Sequence, residues 1–154
     1  MTLAVLIDAD NVSGHLADNL FAAIGKIGTM GLRRMYGDFR EARLGPWEAA
    51  AGRHRIRRRQ TPCNGRNASD LALMEDALKL LRGRTFNGFC IVSSDGDFAA
   101  LAMLIRESGI AVYGFGEAKA PAILRKACTR FVPLQPVHAK PVRQLASTLR
   151  PATA

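Results

Sequence analysis

The amino-acid sequence predicts an α/β domain with a mostly parallel central sheet covered by helices on both faces. Three observations carry that prediction. Short continuous aliphatic runs, the mark of strands buried on both sides, alternate with stretches striped at helical spacing. The length of 154 residues suits one such domain and not comfortably two. Hydrophobic residues make up 48% of the chain and aromatic ones only 6%, so the core must be mainly aliphatic.

Leu3 to Ile7 reads as the first strand. A helix over about residues 14–27 places Leu16, Leu20, Ala23, Ile24 and Ile27 on one face. Gly28 and Gly31 are expected to break it before a second strand, Leu32 to Tyr36. Trp47 to Gly52 fits a short helix, and Ile56 to Gln60 a charged third strand. Leu71, Met74, Leu78 and Leu81 stripe a helix over about 69–82. Phe89 to Val92 is a strand, and Phe98, Leu101, Ala102 and Ile105 stripe a helix that Gly109 ends. Ile110 to Phe115 is the next strand; Pro121 opens a short helix to Cys128, and Phe131-Val132 closes the sheet. Such alternation implies right-handed crossovers. The ordered domain is expected over residues 1–134, with 135–154, rich in Pro, Ala and Thr, as a tail or linker.

Cys63, Cys90 and Cys128 form no CxxC pair, and His15, His54 and His138 lack metal-ligand spacing. No run approaches the ~18 apolar residues of a membrane span, and the N-terminus lacks the pattern of a signal peptide. The expectation is a cytoplasmic protein with no membrane partner. The net charge of +9 favours anionic partners instead. It is unevenly placed: residues 33–66 hold ten Arg against three acidic residues. Within that stretch Arg40 and the run Arg57-Arg58-Arg59 suit phosphate through the planar guanidinium fork. Tyr36, Phe39 and Trp47 lie nearby and are candidates for stacking unpaired bases. A solvated charged face is the plainer reading of the same residues.

The carboxylates collect where an open parallel sheet binds ligands, beyond the carboxyl ends of its strands. Asp8 and Asp10 end the first strand, on one face if the strand runs that far. Asp95 and Asp97 follow the Phe89–Val92 strand within Ser93-Ser94-Asp95-Gly96-Asp97, and Asp70 opens a helix. Acids converging in one cleft repel one another, and Mg2+ or Mn2+ removes that repulsion through oxygen ligands. Asn11, Ser93 and Ser94, with Asp10, are placed to hold those acids by hydrogen bonds. Simpler roles compete: Asp95 or Ser94 as a helix cap, Asp97 against a helix dipole, and Asn67 with Asp70 as a capping pair. Asp76 lies about 120° around the helix from Asp70 and is expected on the solvated surface.

Four motifs in order, Leu6-Ile7-Asp8-Ala9-Asp10-Asn11, Gly65-Arg66-Asn67-Ala68-Ser69-Asp70, Val92-Ser93-Ser94-Asp95-Gly96-Asp97-Phe98 and Val112-Tyr113-Gly114-Phe115-Gly116, resemble the NYN domain family. These are PIN-like domains related to LabA-type bacterial proteins. The resemblance covers about residues 3–134. It implies a PIN-like three-layer α/β/α sandwich and metal-dependent ribonuclease activity. Asp8, Asp70, Asp95 and Asp97 match the family's acidic ligands, and Asn11 its Asn after the first strand. Arg66 stands where the family often has Lys, keeping the charge but not the group. Phosphate contacts give affinity without sequence preference, which points to single-stranded or looped RNA. A homodimer is a further expectation, because a lone PIN-like domain offers a shallow groove. Two other readings compete. One is a catalytically silent RNA-binding adaptor of the same fold. The other is a haloacid-dehalogenase-type phosphohydrolase using Asp8 and Asp10, although no lysine stands where that chemistry needs one.

Overall fold

Six strands form among the described residues, 1–61 and 68–135 of this computed structural model: β1 (Thr2–Asp8), β2 (Thr29–Gly37), β3 (Arg57–Gln60), β4 (Gly88–Val92), β5 (Ala111–Glu117) and β6 (Arg130–Leu134). They pair in the order β3-β2-β1-β4-β5-β6, every neighbouring pair parallel. Five α-helices connect or follow them: α1 (Ala17–Gly25), α2 (Gly45–His54), α3 (Ala68–Gly83), α4 (Ala99–Glu107) and α5 (Ala122–Ala127). Short 3-10 turns lead into α1, α2 and α4.

Alternation along β1 divides the core. Leu3, Val5 and Ile7 pack with Leu20 and Ile24 of α1 and Trp47 and Ala50 of α2. Ala4 and Leu6 pack with Leu73 and Ala77 of α3, Leu101, Ala102 and Ile105 of α4 and Leu124 of α5. This is a three-layer α/β/α sandwich, as the resemblance implies. Both sides of β1 are dry because helices cover both, so its sequence is aliphatic without alternation.

Gly31 does not stop a helix. It lies inside β2, which begins at Thr29, and is the extra residue where the register slips from Leu3↔Met30 to Ala4↔Leu32. Glycine inside a strand marks such a bulge as readily as a boundary. A Cβ at Gly31 would stand 2.8 Å from the Phe86 ring and from Thr2 Cγ2, so a side chain there would have to push both aside.

Of the stripe expected on α3, Met74, Leu78 and Leu81 pack partly buried against the core, and Leu71 does not. Leu71 is 58% exposed, while Ser69, Asp70, Leu73, Asp76 and Ala77 form the buried face. Asp76 is therefore not on the solvated surface. The phenol of Tyr36 donates to its Oδ2 at 2.7 Å, with Arg34 Nη1 at 3.2 Å and Arg59 Nη1 at 3.1 Å. Three donors offset the cost of burying its charge. Burial, then the bond and charge of Asp76, push ionisation of the Tyr36 phenol far above its usual range.

Tyr36 and Trp47 are completely buried, so neither stacks on a base. Phe39 packs, half-buried, against the α1–α2 side of the core. The Trp47 indole donates to the Val12 carbonyl at 2.7 Å, which pins the loop after β1 to α2.

Candidate metal centre and basic edge

β1 sits at the middle of the sheet because the chain first builds toward β3 and then, from β4, toward β6. The loops after β1 and β4 therefore part in opposite directions, leaving a crevice at the carboxyl ends of these two strands. Asp8 is the last residue of β1, and Ser93 directly follows β4. α3 packs on the same face as Leu6 and brings Asp70, in its first turn, toward the crevice.

Asp8 is fully buried. Its Oδ2 accepts from Asn11 Nδ2 at 2.8 Å and from Ser93 Oγ at 2.9 Å. Its Oδ1 is buried without a hydrogen-bond partner among the described residues. Burial pushes the Asp8 carboxyl up to about 6; the bonds from Asn11 and Ser93 oppose the rise, and the charges of Asp10 and Asp95 add to it. One carboxyl oxygen of each of Asp70, Asp95 and Asp97 lies within 4.8 Å of the others. Burial drives Asp70 up to about 7, followed by the charges of Asp8 and Asp95, a hydrogen bond with Asp95, and the charge of Asp97.

The surrounding bonds fix this geometry. Ser93 Oγ accepts the Asp95 amide at 3.0 Å, and Asp95 Oδ1 accepts the Asp97 amide at 2.9 Å, capping the 3-10 turn Gly96–Phe98. Asp95 thus caps the turn with one oxygen and belongs to the acidic trio as well. Ser94 faces β5, where its Oγ accepts from the Glu117 amide at 2.8 Å. β5 passes so close that a Cβ on Gly116 would lie 2.5 Å from the Ser93 carbonyl oxygen. Gly116→Ala should displace the Ser93–Ser94 backbone and lower stability by about 1–3 kcal/mol, read by denaturant unfolding.

Asp10 lies toward β2 instead. β1 ends at Asp8, and Asp10 Oδ1 accepts from the Asp38 amide at 3.4 Å and from Arg43 Nη2 at 3.5 Å, while Arg43 Nη1 donates to its carbonyl at 2.9 Å. Asp10 is joined to the segment after β2 and touches Asp8 only through its charge. Arg66 and Asn67 lie outside the described residues, as do Cys63 and the chain beyond residue 135.

The run Arg57-Arg58-Arg59 does not make one edge. Arg57 pairs in register with Arg34 and Arg59 with Tyr36, on the face that α3 covers, whereas Arg58 pairs with Met35 on the opposite face. Arg58 Nη1 bonds Glu48 of α2 at 2.5 Å, Arg59 bonds Asp76, and Arg40 Nε bonds Asp38 at 2.8 Å. Sequence reasoning missed the group formed by Arg34, Tyr36, Arg59 and Asp76. Its signal was the spacing Leu73, Asp76, Ala77, which puts Asp76 on the apolar face of α3.

Three carboxylates without His or Cys form an oxygen-only donor set, and the unpartnered Oδ1 of a fourth, Asp8, adds its charge to Asp70. Those residues fit a hard divalent cation such as Mg2+ or Mn2+. No helix among the described residues is long and apolar enough to cross a membrane.

A search of curated proteins returned no match. The fold is similar to a crystal structure of a protein of unknown function, VPA0982, from Vibrio parahaemolyticus RIMD 2210633. The two share 15% identity at a TM-score of 0.73, over 87% of this chain and 93% of that one. The NYN domain model matches residues 2–135, which takes in the acidic crevice and the whole sheet. With that match over most of its length, the chain belongs to the NYN domain family.

Proposed function

We propose that the protein is a metal-dependent ribonuclease that hydrolyses phosphodiester bonds of single-stranded or looped RNA. The observation that carries this reading is the buried, unpartnered Asp8 Oδ1 beside the converging oxygens of Asp70, Asp95 and Asp97. Asp8, Asp95 and Asp97 would hold Mg2+ or Mn2+, one ion or two, and Asp70 would ligate it or orient water. The bound ion would supply activated water and stabilise charge developing on phosphorus. Asn11 and Ser93 keep Asp8 Oδ2 occupied and its other oxygen directed elsewhere. Ser94 ties the β4 loop to β5 and so supports Asp95. The cations Arg40, Arg57, Arg58, Arg59 and Arg66 would add positive charge that attracts the RNA backbone.

Asp10 gives no support to a phosphohydrolase mechanism, because its carboxylate is engaged by Asp38 and Arg43. The test is cleavage of a labelled single-stranded RNA with Mn2+, with EDTA, and by Asp8→Asn. Cleavage should require the metal and be lost in the variant. Cleavage that survives both EDTA and the substitution overturns the mechanism. Salt-sensitive RNA binding without cleavage identifies the silent adaptor instead.

A further inference from the structure

The arginines around β2 and β3 sort by what they already hold. Arg34 and Arg59 bond Asp76, Arg58 bonds Glu48, and Arg33 Nη1 donates to the His54 carbonyl at 2.7 Å. The side chains of Arg55 and Arg57 make no hydrogen bond or ion pair with any described residue, and both are exposed. They line a groove of about 330 Å3 together with Arg33 and Arg34, along the Met30–Leu32 stretch of β2. A second hollow of about 370 Å3, lined by Arg34, Arg57, Arg58 and Arg59, shares two of those arginines.

Backbone conformation fixes where Arg55 stands. Arg55 follows α2 at φ 54° and ψ 50°, the left-handed cap position that favours glycine. There its backbone amide donates to the Ala51 carbonyl and closes α2, while no described residue uses its guanidinium.

Register relates the groove to the acidic crevice. Asp8 pairs with Tyr36 and Tyr36 with Arg59, so Arg59 stands level with the crevice, roughly 10 Å across two strand spacings. From Tyr36 back to Met30 the arginine-lined surface runs ~20 Å along β2. That length accommodates at most about six stacked nucleotides at ~3.4 Å each.

We infer that the groove lined by Arg33, Arg34, Arg55 and Arg57 is a second binding surface for single-stranded RNA, holding the strand as it leaves the acidic crevice. Resting on the ribonuclease reading above, the inference extends it to a substrate of several nucleotides rather than one bond and its neighbours. The unpaired guanidinium groups of Arg55 and Arg57 take phosphates. Strands β2 and β3 and the cap of α2 space these contacts.

The experiment measures binding of fluorescein-labelled oligouridylates, a 12-mer and a trimer, to the full chain in EDTA over a range of NaCl concentrations. The double variant Arg55→Gly/Arg57→Gln should bind the 12-mer at least ~10-fold more weakly, with a salt slope shallower by about 1.4, from ~0.7 per contact. Trimer binding should change far less. Because glycine suits the left-handed position, Arg55→Gly alone should raise the melting temperature while weakening 12-mer binding, which separates lost contact from lost folding. Unchanged 12-mer affinity and salt slope in the double variant overturn the groove, even if the wild type cleaves RNA. Groove-dependent binding by a protein that never cleaves with Mn2+ sustains the groove and removes the ribonuclease reading instead.

Discussion

Asp8→Asn should raise the stability of the metal-free protein above pH 7 while abolishing its response to Mn2+. Folding moves the Asp8 carboxyl from 3.8 to about 6, chiefly by burial. Between those values the folded state holds more protons than the unfolded chain, so stability falls as pH rises. This is opposite in sign to a salt-bridged aspartate. The loss is complete once pH exceeds the folded value and amounts to ~3 kcal/mol. An amide carries no charge to bury and still offers an oxygen to Asn11 and Ser93. Asp70, raised to about 7, pushes the pH dependence in the same direction and extends it toward neutrality. Thermal unfolding of both proteins from pH 4 to 8 with EDTA checks this: the wild type should lose stability across that range and the variant less, its remaining loss coming from Asp70. Saturating Mn2+ at pH 8 should then restore the wild type by ~3 kcal/mol at about 100 times Kd and leave the variant unmoved. Cleavage should fall roughly 100-fold or more, since even residues behind a metal ligand cost about 10–100-fold.

Asp76→Ala should be among the most destabilising single changes, costing about 3 kcal/mol and roughly 10 °C in melting temperature. The substitution leaves the buried Tyr36 hydroxyl without its acceptor and strips the shared anion from Arg34 and Arg59. Asp76→Asn keeps an acceptor for the phenol and should recover part of the loss. Tyr36→Phe alone removes one neutral donor and should cost about 1 kcal/mol. A double-mutant cycle of Tyr36→Phe with Asp76→Ala, read by urea unfolding, should give a coupling of about 1 kcal/mol; additivity would show that the bond contributes nothing.

Most of the sheet was legible because its strands are short aliphatic runs, and the crevice because Asp8, Asp95 and Asp97 stand just past two of them. The misreadings share a cause, which is that tertiary contact decides which side of an element is dry. Leu71 and Leu73 are equally apolar, and only docking of α3 on β1 and β2 selects Leu73. Asp76 resembles a surface acid until Tyr36, Arg34 and Arg59, distant in sequence, close on it. Trp47 resembles an exposed platform in a basic stretch, but Gly14 admits it so closely that a Cβ there would lie 2.5 Å from the Trp47 amide nitrogen. Asp8 and Asp10 share a face only in an extended strand, and β1 stops between them. Periodicity records which residues are apolar; it does not record partners from another element.

The six-stranded sheet ends on two strands that discourage further pairing. β3 offers Arg57-Arg58-Arg59-Gln60, all exposed, and two copies brought edge to edge there would meet with like charges. β6 carries Pro133, exposed and lacking an amide hydrogen to continue a ladder. A chain whose strands are this aliphatic would otherwise be prone to stack into ribbons as it folds. The guanidinium groups of this edge strand therefore act as a guard against aggregation. Salt should weaken that guard together with the proposed hold on RNA, lowering the barrier to self-association.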